Sequence, residues 1–133
     1  MNRGVDDIEI YRISYRLSLD IHRLTLTFPK IEQYGGIGDQ LRRSSKSITA
    51  NIVEGFGKNP YYKGEFKRML VYSIGSCDET ILWIKMSKDL GHIEINLANR
   101  YLKEYQIEYC PWKCIYLHKH NLFSLLSLHS PIS

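Results

Sequence analysis

Proline and glycine fall at Pro29, Gly35-Gly36, Gly55 with Gly57, Pro60, Gly91 and Pro111, and the stretches between them are long and nearly free of both. Proline lacks a backbone N–H and glycine loses more entropy than any other residue on ordering, so this punctuation divides the chain into segments of helical length joined by short turns. In the first segment Ile10, Ser14, Leu17, Ile21, Leu24 and Phe28 recur at steps of four and three, the seam of an amphipathic helix from about Asp7 to Phe28. Asp6, Asp7 and Glu9 suit its positive N-terminal end, and Pro29 stops it by steering the preceding residue away from helical angles.

The second segment, about Ile37 to Phe56, places Ile37, Leu41, Ile48, Ile52 and Phe56 on one side, and Gly55 or Gly57 is expected to close it in a left-handed conformation. In the third, Asn59 caps and Pro60 takes the first helical position. Phe66, Leu70, Ser73, Cys77, Ile81 and Ile84 then carry the pattern to Leu90-Gly91, a helix of ~30 residues and ~45 Å. Ser73, Gly75 and Ser76 at its middle are small enough for a neighbouring helix to approach closely. A fourth helix starts near Asn96 and carries Leu97, Tyr101, Leu102 and Tyr105 until Pro111 interrupts it.

Short connections make consecutive helices antiparallel neighbours, so the reading is an all-α, antiparallel, up-down-up-down four-helix bundle over residues 1–108. Residues 109–133 form a separate C-terminal tail in this reading. They contain no Asp or Glu, yet hold three of the five His and two of the three Cys. Leu122, Phe123, Leu125, Leu126 and Leu128 suit a further helical turn or two without a clean period. There is no internal repeat and no alternating strand pattern to compete with the helices.

Chain length allows one domain, and 18 Lys and Arg against 14 Asp and Glu leave +4, which permits an anionic partner but rules out histone-like basicity. Three cysteines, Cys77, Cys110 and Cys114, are too few for a disulfide framework and point to a reducing compartment. The N-terminus turns acidic where a signal peptide is apolar, and no window approaches the ~18 apolar residues of a membrane span. The expectation is a cytoplasmic protein that engages no membrane.

On the second helix Gln40, Arg43, Ser47, Asn51 and Glu54 recur at three and four, a polar stripe beside the apolar one. Two readings stand. In one, Ser47 and Asn51 hydrogen-bond within or between helices and Glu54 pairs with a basic neighbour; in the other, the stripe is a recognition surface. Between Gln40 and Leu70 lie seven basic residues, Arg42, Arg43, Lys46, Lys58, Lys63, Lys67 and Arg68, against two acids, Glu54 and Glu65. Tyr61, Tyr62 and Phe66 lie among them. Cations beside aromatics neutralise phosphates and stack bases of single-stranded nucleic acid, whereas the plain alternative is a solvated face.

Other chemistries lack their constellations. Cys110, Cys114, His118 and His120 invite a zinc reading, but their spacing is no finger pattern, so no metal is expected; Cys77 reads as a small core residue. Asp78 and Glu79 point ~100° apart on a helix and cannot flank one bond. His22 lies near Asp20 with no nucleophile tied to them by a motif. Gly57-Lys58 lacks the earlier glycine of a P-loop, and the Glu-x-x-His motif of di-iron bundles is missing. The sequence therefore offers no catalytic residue and no cofactor site.

Phe28-Pro29, Gln40-Leu41-Arg42-Arg43, Ser47-Ile48, Asn51-Ile52, Glu54-Gly55, Gly75-Ser76 with Glu79, and the Leu90-Gly91 helix end occur in an order and spacing that resemble a known family. It is that of the bacterial four-helix-bundle proteins encoded within intervening sequences of large-subunit ribosomal RNA genes. The resemblance covers roughly residues 8–108. It implies an antiparallel bundle that assembles into a ring, typically a homopentamer, with no established catalytic activity. That family is similar to the accessory variability proteins of diversity-generating retroelements, basic pentameric rings that bind nucleic acid and a reverse transcriptase. The family's acid at the position of Glu79 implies a pair with an arginine across the bundle. Members continue the fourth helix, whereas Cys110-Pro111-Trp112 is expected to break it here and leave a diverged tail. The resulting expectation is a non-enzymatic oligomer that binds RNA or DNA electrostatically through Arg42, Arg43, Lys46, Lys58, Lys63, Lys67 and Arg68. The alternative is a protein-interaction or assembly module with a protein partner.

Overall fold

The computed structural model of the chain describes residues 4–117. After a 3-10 turn (Val5–Asp7), the first apolar seam forms α1 (Glu9–Thr25). Its last turn tightens before Pro29: the N–H groups of Leu26, Thr27 and Phe28 donate to carbonyls three residues back, so α1 ends short of Phe28 although that ring still joins the core. A single helical turn (Lys30–Gln33) leads to α2 (Ile37–Lys58), followed by α3 (Glu65–Asp89) and α4 (Ile95–Leu117). No strand occurs among the described residues.

Neither Gly55 nor Gly57 closes α2: both lie within it, and the left-handed glycines are Gly35, Gly64 and Gly91. Gly55 serves close packing instead. A Cβ there would stand 2.7 Å from Met69 Cβ and 3.1 Å from the Phe66 Cα, so only glycine admits α3 at this distance. The third helix also starts later than Pro60, because residues 59–64 turn through Gly64 at φ 92°. The N-cap position expected of Asn59 therefore falls to Gly64, and Asn59 ends α2 instead, its Oδ1 reaching the Phe66 N–H across the turn at 3.5 Å.

At the other end of α3 the Leu90-Gly91 stop forms as expected. Gly91 takes φ 76°, His92 N–H donates to the Ser87 carbonyl at 2.8 Å, and Gly91 N–H donates to Lys88 at 3.0 Å. Glu94 caps α4 by accepting from the Asn96 and Leu97 N–H groups, each at 3.0 Å, which holds its carboxyl below the usual range.

The expected break at Pro111 is corrected: α4 passes through it to Leu117. A proline removes one i→i−4 bond and costs ~3 kcal/mol, but Ile95–Leu117 holds no glycine and no second proline to extend the disruption. The segment from Leu122 to Leu128 lies outside the described residues.

The pairing register establishes the topology. Ser44 meets Thr80, Ser47 meets Ser76, and Ser73 donates to the Ile48 carbonyl, so positions fall on α3 as they rise on α2. Arg42 reaches back to Thr25 at the end of α1, Cys77 Sγ lies 3.9 Å from the Tyr105 carbonyl of α4, and Arg16 pairs with Glu104 at 2.7 Å to join α1 to α4. The result is an all-α, antiparallel four-helix bundle around Leu17, Ile21, Leu41, Ile48, Ile52, Phe66, Leu70, Cys77, Ile84, Ala98 and Tyr105. Among the described residues, no helix is long and apolar enough to cross a membrane.

Candidate nucleic-acid interface

Adjacent residues on a helix point ~100° apart, and α2 uses this to give neighbouring cations different surroundings. Arg42 is turned toward α1, with a side chain only 11% exposed. Its Nη1 donates to Thr25 Oγ1 at 2.9 Å, its Nη2 donates to the Gln33 carbonyl, and Asp39 lies 3.9 Å away. Gln33 in turn donates to the Phe28 carbonyl at 2.6 Å. Arg42 therefore ties α2 to the end of α1 and the turn after it, and it leaves the set of cations available to a phosphate. Arg43 is 74% exposed and pairs with Asp39 at 3.0 Å, and Lys46 is exposed beyond it.

The polar stripe divides in the same way. Asn51 Nδ2 donates to Ser47 Oγ at 3.2 Å, and Ser76 Oγ donates to the same oxygen at 2.9 Å, which places these residues in the seam between α2 and α3. Ser44, Ser73 and Thr80 complete that seam. Sequence reading passed over Ser44 and Thr80, although their spacing from Ser47 and Ser76 sets them on the same helix faces. Gln40 is half-buried, while Glu54 is exposed and pairs with Lys58 one turn along α2. Glu79 accepts from Trp83 Nε1 at 3.1 Å on its own helix, where an arginine across the bundle was expected.

Around the turn from α2 to α3, Lys63, Lys67 and Arg68 are exposed, and Arg68 pairs with Glu65 at 2.9 Å. Tyr61 and Tyr62 are exposed beside them, Tyr61 at 83%. Phe66 follows its place on the apolar seam of α3 and does not join the surface rings: it is buried, edge-on to Phe56 with ring centroids 6.4 Å apart. Tyr72 takes its place on the surface. It lines a shallow groove with Gly64, Lys67, Arg68 and Val71, and its position four residues after Arg68 is the signal that locates it. Further along α3, Val71, Leu82 and Met86 are exposed on the side of Gly75, which has no neighbour within 4 Å of a built Cβ.

The seven expected cations thus fall into three environments: Arg42 half-buried as a clamp, Arg43 and Lys46 on the outer side of α2, and Lys58, Lys63, Lys67 and Arg68 around the turn. His22 lies near the first two groups. Burial first, then the charges of Lys46, Arg42 and Arg23, hold its imidazole below the usual value. Among the described residues no three His, Cys, Asp or Glu gather as a metal site. The side chains of Cys110, Cys114, His118 and His120 lie outside those described.

An antiparallel bundle with a hydroxyl seam and a rim of cations and tyrosines defines a small helical module. Residues 6–108, more than three quarters of the chain, match the family model described as 23S rRNA-intervening sequence protein, and the chain belongs to that family. It is not a known enzyme family. Comparison with curated proteins gave no match.

Proposed function

We propose that this intervening-sequence protein is a non-enzymatic, oligomeric, cytoplasmic bundle protein that binds RNA or DNA electrostatically at the α2–α3 end. One observation carries the reading: Lys63, Lys67 and Arg68 are exposed in one short segment beside the exposed rings of Tyr61, Tyr62 and Tyr72. Lysine and arginine neutralise phosphates without reading sequence, and exposed rings add stacking to unpaired bases. Arg43 and Lys46 extend the charge along α2, and Lys58 contributes although Glu54 shares it.

Oligomerisation is supported by the exposed Val71, Leu82 and Met86, an apolar surface of the kind that a second subunit covers. The homopentamer implied by the sequence resemblance is the expected assembly, and repetition of a modest basic patch around a ring multiplies weak contacts. The same apolar residues favour the second reading, a module that assembles with a protein partner and leaves nucleic acid alone.

Charge reversal separates the two readings. Three phosphate contacts give log K a slope of about −2 against log salt for a single strand. Lys63→Glu with Lys67→Glu is expected to weaken binding of a labelled RNA tenfold or more and to flatten that slope. Binding unchanged in the folded double variant contradicts the nucleic-acid reading and favours the protein partner.

A further inference from the structure

The groove between α1 and α2 has the ingredients for a contact that the basic rim alone does not supply. Tyr11, Tyr15, Lys46, Thr49, Ala50 and Val53 line it, and its volume is about 470 Å³. The Tyr11 and Tyr15 rings stand 5.8 Å apart at 37°, and Tyr15 is 49% exposed, so a ring face remains open to a planar group. Lys46 sets a cation on the opposite wall, with Arg43 a turn before it on α2. Glu54 also borders the groove, and its charge is shared with Lys58.

We infer that this groove stacks an unpaired base on Tyr15 while Lys46 and Arg43 hold the adjoining phosphates, which makes the bound nucleic acid single-stranded. The inference rests on the nucleic-acid reading above and adds a second place of contact, the α1–α2 groove, that commits it to an unpaired strand. Bases in a duplex are already stacked on their neighbours and present no free face to a tyrosine. A single strand presents one at every nucleotide. Lys46 and Lys58 are twelve residues apart on α2, about 18 Å at the helical rise and about 120° around the helix, so a strand joining the groove to the α2–α3 turn winds partly around α2.

Fluorescence anisotropy with a labelled 12-nucleotide RNA, single-stranded and as a duplex, tests this on the full chain. The single strand is expected to bind more tightly; Tyr15→Ala weakens it about fivefold or more, Tyr15→Phe restores it, and duplex affinity is unmoved. Lys46→Ala reduces the salt slope by about 0.7 and covers the case in which Tyr15→Ala perturbs folding. Equal affinity for duplex and single strand, or a folded Tyr15→Ala and Lys46→Ala that both bind like the parent, overturns the groove. If Lys63→Glu with Lys67→Glu still abolishes binding, the function stands without it. A parent protein that binds neither RNA overturns both.

Discussion

Arg42 is held by Thr25 and the Gln33 carbonyl while Arg43, one position on, projects into solvent from the same helix. Sequence spacing revealed Arg42 and Arg43 as adjacent cations on α2 but not which side each one faces relative to α1, since that depends on where α1 ends. A hydrogen bond to a charged group contributes ~1.5–3 kcal/mol when buried and less when part-exposed, and an exposed ion pair contributes ~0–1. Arg42→Ala is therefore expected to lower unfolding free energy in urea by about 2–3 kcal/mol, and Arg42→Lys recovers little because one ammonium cannot span two directions. Arg43→Ala should stay within about 0.5 kcal/mol of the parent. Equal effects at the two positions contradict the clamp.

His22 gives a pH dependence whose sign follows from its surroundings. Burial and the nearby Lys46, Arg42 and Arg23 hold the folded-state imidazole below its ordinary value of 6.5, so the unfolded chain binds the proton more readily. Its contribution to stability is complete above about pH 6.5 and is lost as pH falls through the lowered folded value. Urea midpoints between pH 7.5 and pH 5 should decline in the parent, and His22→Gln should reduce that decline. An identical decline in the variant assigns it to other groups.

At the scale of the elements, the apolar seams were legible because steps of three and four need no knowledge of partners. Ile10, Leu17, Ile21, Leu41, Ile48, Ile52, Leu70, Cys77 and Ile84 are all buried on their expected faces. The helix ends were less legible. Gly55 and Gly57 read alike as stop signals, yet one is wedged against Met69 and Phe66 and the other is open. That difference arises from α3, which the local sequence of α2 does not encode. Gly55→Ala is expected to destabilise by about 1–3 kcal/mol through overpacking, and Gly57→Ala to stabilise by about 0.5–1 kcal/mol through helix propensity. Thermal melts of both variants check this, and a shift in the same direction for both contradicts the close approach. Pro111 shows the same limit: a proline marks one missing bond, and the neighbouring turns decide whether the helix continues.

For the whole molecule, antiparallel pairing gathers parts that lie far apart in the chain. The α1 N-terminal tyrosines, the end of α2 and the start of α3 share one end of the bundle, since Tyr11 borders Val53 and Gly55 abuts Met69. The candidate surface was partly legible: the cations and Tyr61 with Tyr62 stand in one stretch of sequence, and among them Arg43, Lys46, Lys63, Lys67, Arg68 and both tyrosines are exposed. Arg42 was drawn inward by packing, Phe66 kept to the apolar seam it shows in the sequence, and Tyr72, Tyr11 and Tyr15 join the surface only through the fold. Charge density counts types, and helix faces decide which of them meet solvent.

The central claim, a nucleic-acid-binding oligomer of this bundle, is tested most directly by solution mass from light scattering, with and without a short single-stranded RNA, at low and moderate salt. The account predicts a multiple of the 15.6 kDa chain that gains RNA mass at low salt and loses it as salt rises, with the oligomer itself unchanged. A mass of one chain, or an oligomer whose mass ignores RNA at both salt concentrations, contradicts it.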